Sequence, residues 1–191
     1  MVKIGFIVEG RCDKAVLNSP AFRKIVAGLS LRIIGDIENA KGKNNLSGEK
    51  GDSYVNVLRD KGASHIVILR DLDELTDLEA AKQEVIRAGD ISLCVAIREL
   101  EAWFLADSGT LSAIFKTNFY CEHPEQESNP KETLKILSQR FRNGRGIDDE
   151  VKFTNLMLAN GFSIERAAAH PNCPSARYFL TKLQTIASAT F

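Results

Sequence analysis

Four short apolar runs, at 2–8, 31–37, 65–70 and 91–97, punctuate the first half of the chain, and each is bounded by polar or glycine-containing segments. Runs of this length rich in Ile and Val predict strands buried on both faces of a sheet. Between them the period changes. Val16, Leu17, Phe22, Ile25 and Val26 recur at near-helical intervals and predict a helix over 12–28. A second helix is expected over 52–62. A third is expected over 75–89, with Leu75, Leu78, Ala81, Val85 and Ile86 on one side and Gly89 at its end. The segment 38–51, rich in glycine, asparagine and lysine, is expected to be a mobile loop. The resulting βαβαβαβ order predicts an α/β fold with a parallel, doubly wound sheet, right-handed crossovers and helices on both faces.

Beyond residue 98 the alternation stops. The segment Glu99-Leu100-Glu101-Ala102-Trp103-Phe104-Leu105-Ala106-Asp107 predicts a helix leaving the fourth strand directly. Further helices are expected over 109–116, 131–142, 148–159, 163–169 and 175–188, with a polar loop at 121–129 before Pro130. The chain therefore divides into an α/β domain over 1–107 and a helical C-terminal subdomain over 108–191.

Composition narrows the function classes. Lys plus Arg equals Asp plus Glu at 25 each, so no global positive field marks a protein that coats nucleic acid. A local basic groove beside an acidic centre stays compatible with that balance. No run reaches the roughly 18 apolar residues of a membrane span. The first apolar run meets Glu9 at once and has no cleavage-type sequence behind it, so a cytoplasmic protein without membrane partners is expected. Cys12, Cys94, Cys121 and Cys173 include no CxxC pair. They do not form a disulfide framework, and Cys121 with His123 falls short of a zinc ligand set.

The candidate chemistry lies at the strand ends. Glu9 closes the first run, and Asp71 and Asp73 close the third. In parallel α/β sheets the ligand crevice lies beyond the carboxyl ends of the strands. Carboxylates converging there repel one another unless protons or cations intervene, which points to a divalent metal. Asp71 and Asp73, two apart, project to the same side of an extended segment. Magnesium suits them, because it is a hard ion that takes a few carboxylates together with water and phosphate oxygens.

Val8-Glu9-Gly10 followed by Asp71-Leu72-Asp73 resembles the Toprim domain of topoisomerases, primases, recombination proteins and nucleases of the overcoming-lysogenisation-defect type. The stretch Ala96–Asp107, Asn129-Pro130-Lys131-Glu132 and Cys173-Pro174-Ser175 resemble features of small bacterial Toprim-like proteins with a helical tail. The resemblance implies a Toprim-like, Rossmann-like sheet in which Glu9, Asp71 and Asp73 bind Mg²⁺ or Mn²⁺. Two ions held there would stabilise both the attacking water and the leaving oxygen, and Glu9 suits either a ligand or a general base. Glu99 is the candidate for a supporting catalytic ligand or water positioner, and Glu101 is less favoured because a helix swings it away from Glu99. It further implies a nuclease acting on DNA or RNA, and a partner ATPase in anti-phage defence. No tyrosine-bearing strand-passing module of a topoisomerase, and no template-handling module of a primase, is visible in these residues.

Bland readings stand beside these. Asp73, Glu99 and Glu101 suit helix starts. Trp103 and Phe104 fit a core better than a stacking platform. Lys41, Lys43 and Lys50, and Arg140, Arg142 and Arg145, fit solvated surface as well as phosphate contact, while Lys131 and Lys152 reach phosphate only if the tail folds over the crevice. The rival function is a non-catalytic, metal- or nucleotide-binding interaction subunit. A nucleotide-binding protein of the P-loop or dinucleotide type is disfavoured, since no GxGxxG or GxxxxGK[ST] follows the first strand.

Overall fold

A computed structural model of the chain describes residues 1–72, 89–144 and 146–189. Asp73, Arg145 and the helix expected at 75–89, apart from Gly89, lie outside the described residues. The fold is α/β, with a five-stranded parallel sheet flanked by helices. Strands β1 (Val2–Val8), β2 (Leu31–Ile33), β3 (Glu38–Asn39), β4 (His65–Asp71) and β5 (Ile91–Ala96) run in the order β2-β1-β4-β5. β2 and β3 share one side of β1, pairing with its first and last residues respectively.

Alternation along the central strands sends side chains into two cores. Ile7, Ile66, Ile68, Leu93 and Val95 meet Val55 and Leu58 of helix α3 (Gly48–Asp60) on one face. Gly5 is required there, because a Cβ on it would sit 2.9 Å from Leu58 Cδ1. On the other face Ile4, Phe6, Val8, Val67, Leu69 and Cys94 join one large cluster with the other α-helices among the described residues. That cluster continues without a break from the sheet into the helices beyond residue 108.

The expected helix over 12–28 is two helices, α1 (Arg11–Asn18) and α2 (Pro20–Gly28). Proline lacks the N–H and clashes with the preceding turn, so helix α1 must stop. Ser19 then caps α2, its hydroxyl accepting Phe22 N–H at 3.2 Å, with Pro20 at the favoured first position. The second expected strand is shorter than its apolar run. It breaks at Gly35, whose φ of 71° leaves the extended region, and resumes as β3. Within 38–51 lie β3, a 3-10 turn at Lys43–Asn45 and the start of α3.

The helical half follows the expected order: α4 (Glu101–Ala106), α5 (Ser108–Phe115), α6 (Pro130–Phe141), α7 (Glu150–Ala159), α8 (Ile164–Ala169) and α9 (Pro174–Ser188). Trp103 and Phe104 are fully buried, packing against Phe179 and Phe162 respectively. Helix α9 lies against β5, and α7 against α1. This last contact brings the tail to the carboxyl end of the sheet. No helix among the described residues is long and apolar enough to cross a membrane.

Candidate functional site

The register of the sheet dictates where the acidic residues meet. Val8 lies beside Leu69 in the parallel β1–β4 pair. Glu9 therefore emerges level with the last residues of β4, and its Oε2 accepts the Asp71 N–H at 3.3 Å. Asp71 Oδ1 in turn accepts the Leu100 N–H at 3.0 Å, which ties the end of β4 to the start of α4. Both side chains line a cleft of about 1020 Å³ beyond the strand ends. Glu9 and Asp71 are thus brought together as expected.

Two further carboxyls enter this cleft. Asp13, on the first turn of α1, accepts the Gly10 N–H at 2.8 Å and is 4% exposed. Burial, together with the neighbouring Glu9 charge, pushes its carboxyl up to about 6, although the Gly10 hydrogen bond works the other way. Glu101, the first residue of α4, is 8% exposed. Burial first, then the charge of Glu99, raises its carboxyl to about 7 against the opposing field of Lys131. Glu101 thus lines the cleft, whereas Glu99 turns to the N-terminus of α6, where it accepts the Lys131 N–H at 3.3 Å. Asp13 has a sequence signal, four residues after Glu9, but its spacing also matches a helix cap.

The tail closes over the crevice. Lys131 and Lys152 both line the cleft, as does Lys41 from the turn after β3. Lys131 Nζ lies 3.2 Å from Glu150 Oε1. Burial works against the Lys131 charge, but Glu101, Glu150 and Glu99 outweigh it and hold its ammonium above the ordinary lysine range. The cleft therefore has an acidic floor at the strand ends and lysines around it, an arrangement that a neutral net charge conceals.

Cys12, Glu101 and Glu150 also meet here, with one ligand atom from each lying within 4.8 Å of the others. This group could hold a metal ion. Glu9, Asp13 and Asp71 line the same cleft but are not drawn together so closely among the described residues. Glu150 opens α7 and carries no motif, and Cys12 in the sequence reads as one cysteine of a scattered four, so neither is distinguished before folding. Cys121 and His123 do not belong to any such group among the described residues. Comparison of the chain with protein-family models, with curated proteins and with solved structures found no match.

Proposed function

We propose that this protein is a Mg²⁺- or Mn²⁺-dependent Toprim-type nuclease that hydrolyses phosphodiester bonds in DNA or RNA. The observation that carries the reading is that Glu9 and Asp71 line one lysine-bearing cleft at the ends of adjacent parallel strands, with Glu9 Oε2 accepting the Asp71 backbone N–H at 3.3 Å. The oxygen donors there suit a hard cation. Buried carboxyls that burial and mutual repulsion push upward are the groups a divalent charge relieves most.

Glu9, Asp71 and Asp73 are the residues that would hold the ion, with Asp13 beside them. A bound divalent cation supplies positive charge to the scissile phosphate and makes water more acidic. The chain supplies the rest. Lys41, Lys131 and Lys152 attract the nucleic-acid backbone and fix its phosphates over the carboxylates. Glu101, neutral or charged near neutral pH while no ion is bound to it, is suited in that state to exchanging a proton with a water in the cleft. Asp71, anchored by the Leu100 N–H, keeps its geometry without relying on a mobile side chain. A partner ATPase in a defence system belongs to the same reading by resemblance alone.

The experiment is to offer supercoiled plasmid, single-stranded DNA and tRNA to the purified chain with Mg²⁺ or Mn²⁺. Native cleavage that falls at least about 100-fold in Glu9→Gln and in Asp71→Asn, with the fold intact by circular dichroism, supports the nuclease. Absent cleavage, or cleavage equal in all three proteins, favours a non-catalytic interaction subunit.

A further inference from the structure

Cys12 sits on the first turn of α1, Glu101 opens α4 and Glu150 opens α7, so three separate segments contribute to one point at the cleft. Glu101 is the telling member. It is more than nine-tenths buried, and a carboxyl oxygen of it lies within 4.8 Å of the Cys12 sulfur and of a Glu150 carboxylate oxygen. Its own backbone N–H donates to the carboxyl, and no Lys or Arg among the described residues forms an ion pair with it. Lys131 affects it through space, while the lysine ammonium itself rests on Glu150. A carboxyl this deeply set at the wall of the cleft, with no cation paired to it, is stabilised when a positive ion enters.

We infer that Cys12, Glu101 and Glu150 form a binding site for a thiophilic divalent ion of the zinc type, separate from the magnesium proposed at Glu9 and Asp71. The warrant is the donor set. A thiolate with two carboxylates suits Zn²⁺, Co²⁺ or Fe²⁺, whereas Mg²⁺ prefers oxygen alone. Bonds of about 2.0–2.3 Å to one ion place its ligands roughly 3–4 Å apart, so the observed group closes by side-chain movements of about 1 Å. Binding releases the Cys12 proton to solvent. Glu150 exchanges Lys131 for the ion, which turns the lysine toward the cleft. A fourth coordination position faces the cleft and is open to water or to a ligand. The ion would also pin α7 to α1 and α4, joining the tail to the sheet end.

The inference does not depend on phosphodiester chemistry, so its test omits activity. Metal-free protein is titrated with Co²⁺ while the thiolate-to-cobalt charge-transfer absorption is followed, and Zn²⁺ or Mg²⁺ is then added in competition. The expected result is a saturable band in native protein and in Asp71→Asn, removed by stoichiometric Zn²⁺ and resistant to a large excess of Mg²⁺. The band should vanish in Cys12→Ser. Cobalt affinity should fall at least tenfold in Glu150→Gln, a half-exposed position where the change leaves the fold intact. No band in native protein, a band that survives in Cys12→Ser, or unchanged affinity in Glu150→Gln would overturn the assignment.

Discussion

Trp103 and Ser175, far apart in the chain, are joined by a 2.7 Å hydrogen bond from the indole Nε1 to the serine Oγ. The same hydroxyl donates to Glu125 Oε1 at 2.6 Å and accepts the Ile97 N–H at 3.3 Å. One small side chain thus satisfies a buried indole, a buried carboxylate and the end of β5. Ser175→Ala leaves the indole and the Ile97 N–H without their partner, while Glu125 keeps the Ser175 backbone N–H at 2.9 Å, and a loss of roughly 1–3 kcal/mol is expected. Urea unfolding of the two proteins measures it. A change below about 0.5 kcal/mol would mean that the network contributes little.

Arg166 grips Asp107 with both arms, Nε to Oδ1 at 3.0 Å and Nη2 to Oδ2 at 2.9 Å. Asp107 is 1% exposed and also caps α5 through the Thr110 N–H, so its charge is costly to leave alone. Arg166→Ala is expected to cost roughly 2–3 kcal/mol, less than a wholly orphaned charge because Thr110 and Ser163 still donate. Arg166→Lys should recover only part of this, since a lysine cannot offer the planar fork. Thermal unfolding of both variants ranks them.

The contact between Gly5 and Leu58 makes a paired prediction. Gly5→Ala inserts a methyl 2.9 Å from Leu58 Cδ1 and should destabilise by roughly 1–3 kcal/mol through overpacking. Leu58→Ala alone opens a cavity and should cost roughly 2–5 kcal/mol. In the double variant the new methyl occupies part of that space, so its cost should be less than the sum. Strict additivity in denaturant titrations would sink this account of the glycine.

Without divalent ions, stability should depend on pH in an unusual direction. Asp13 and Glu101 have folded-state carboxyls raised to about 6 and about 7. The folded state therefore holds protons that the unfolded chain has already lost, and stability falls as pH rises from roughly 4 toward 7. The penalty is on the order of 3 kcal/mol for each group once both are ionised. Asp13→Asn and Glu101→Gln should flatten the profile and stabilise the metal-free protein at pH 8. Melting temperatures in chelator across pH 4–8 check the sign. Adding Mg²⁺ or Mn²⁺ should restore stability most at the alkaline end, where cations no longer compete with protons.

The parallel sheet was legible because its strands are short, apolar and bounded, and Glu9 and Asp71 were legible because they stand where such strands stop. Reading Trp103 and Phe104 as core also agrees with their burial. The division of 12–28 at Ser19-Pro20 was present in the sequence, but the apolar period continued across it and hid the break. Glu101 was harder. Helical rotation separates it from Glu99, and which of the two faces the cleft depends on α6 packing against α4 and offering its N-terminus to Glu99. Glu150 and Cys12 carry no local signature at all. Their meeting arises from α7 docking on α1, a tertiary event without periodicity to announce it.

The docking of α7 on α1 also governs when the cavity comes into being. Glu9 and Asp71 are contributed early in the polypeptide, whereas Lys131, Glu150 and Lys152 arrive from its last third. A chain interrupted before α7 can carry all five strands and still leave their acidic tips facing bulk water. Whatever the cleft holds, occupancy thus reports on folding of the entire polypeptide, and a ligand that fills it will resist unfolding at both ends of the sequence at once.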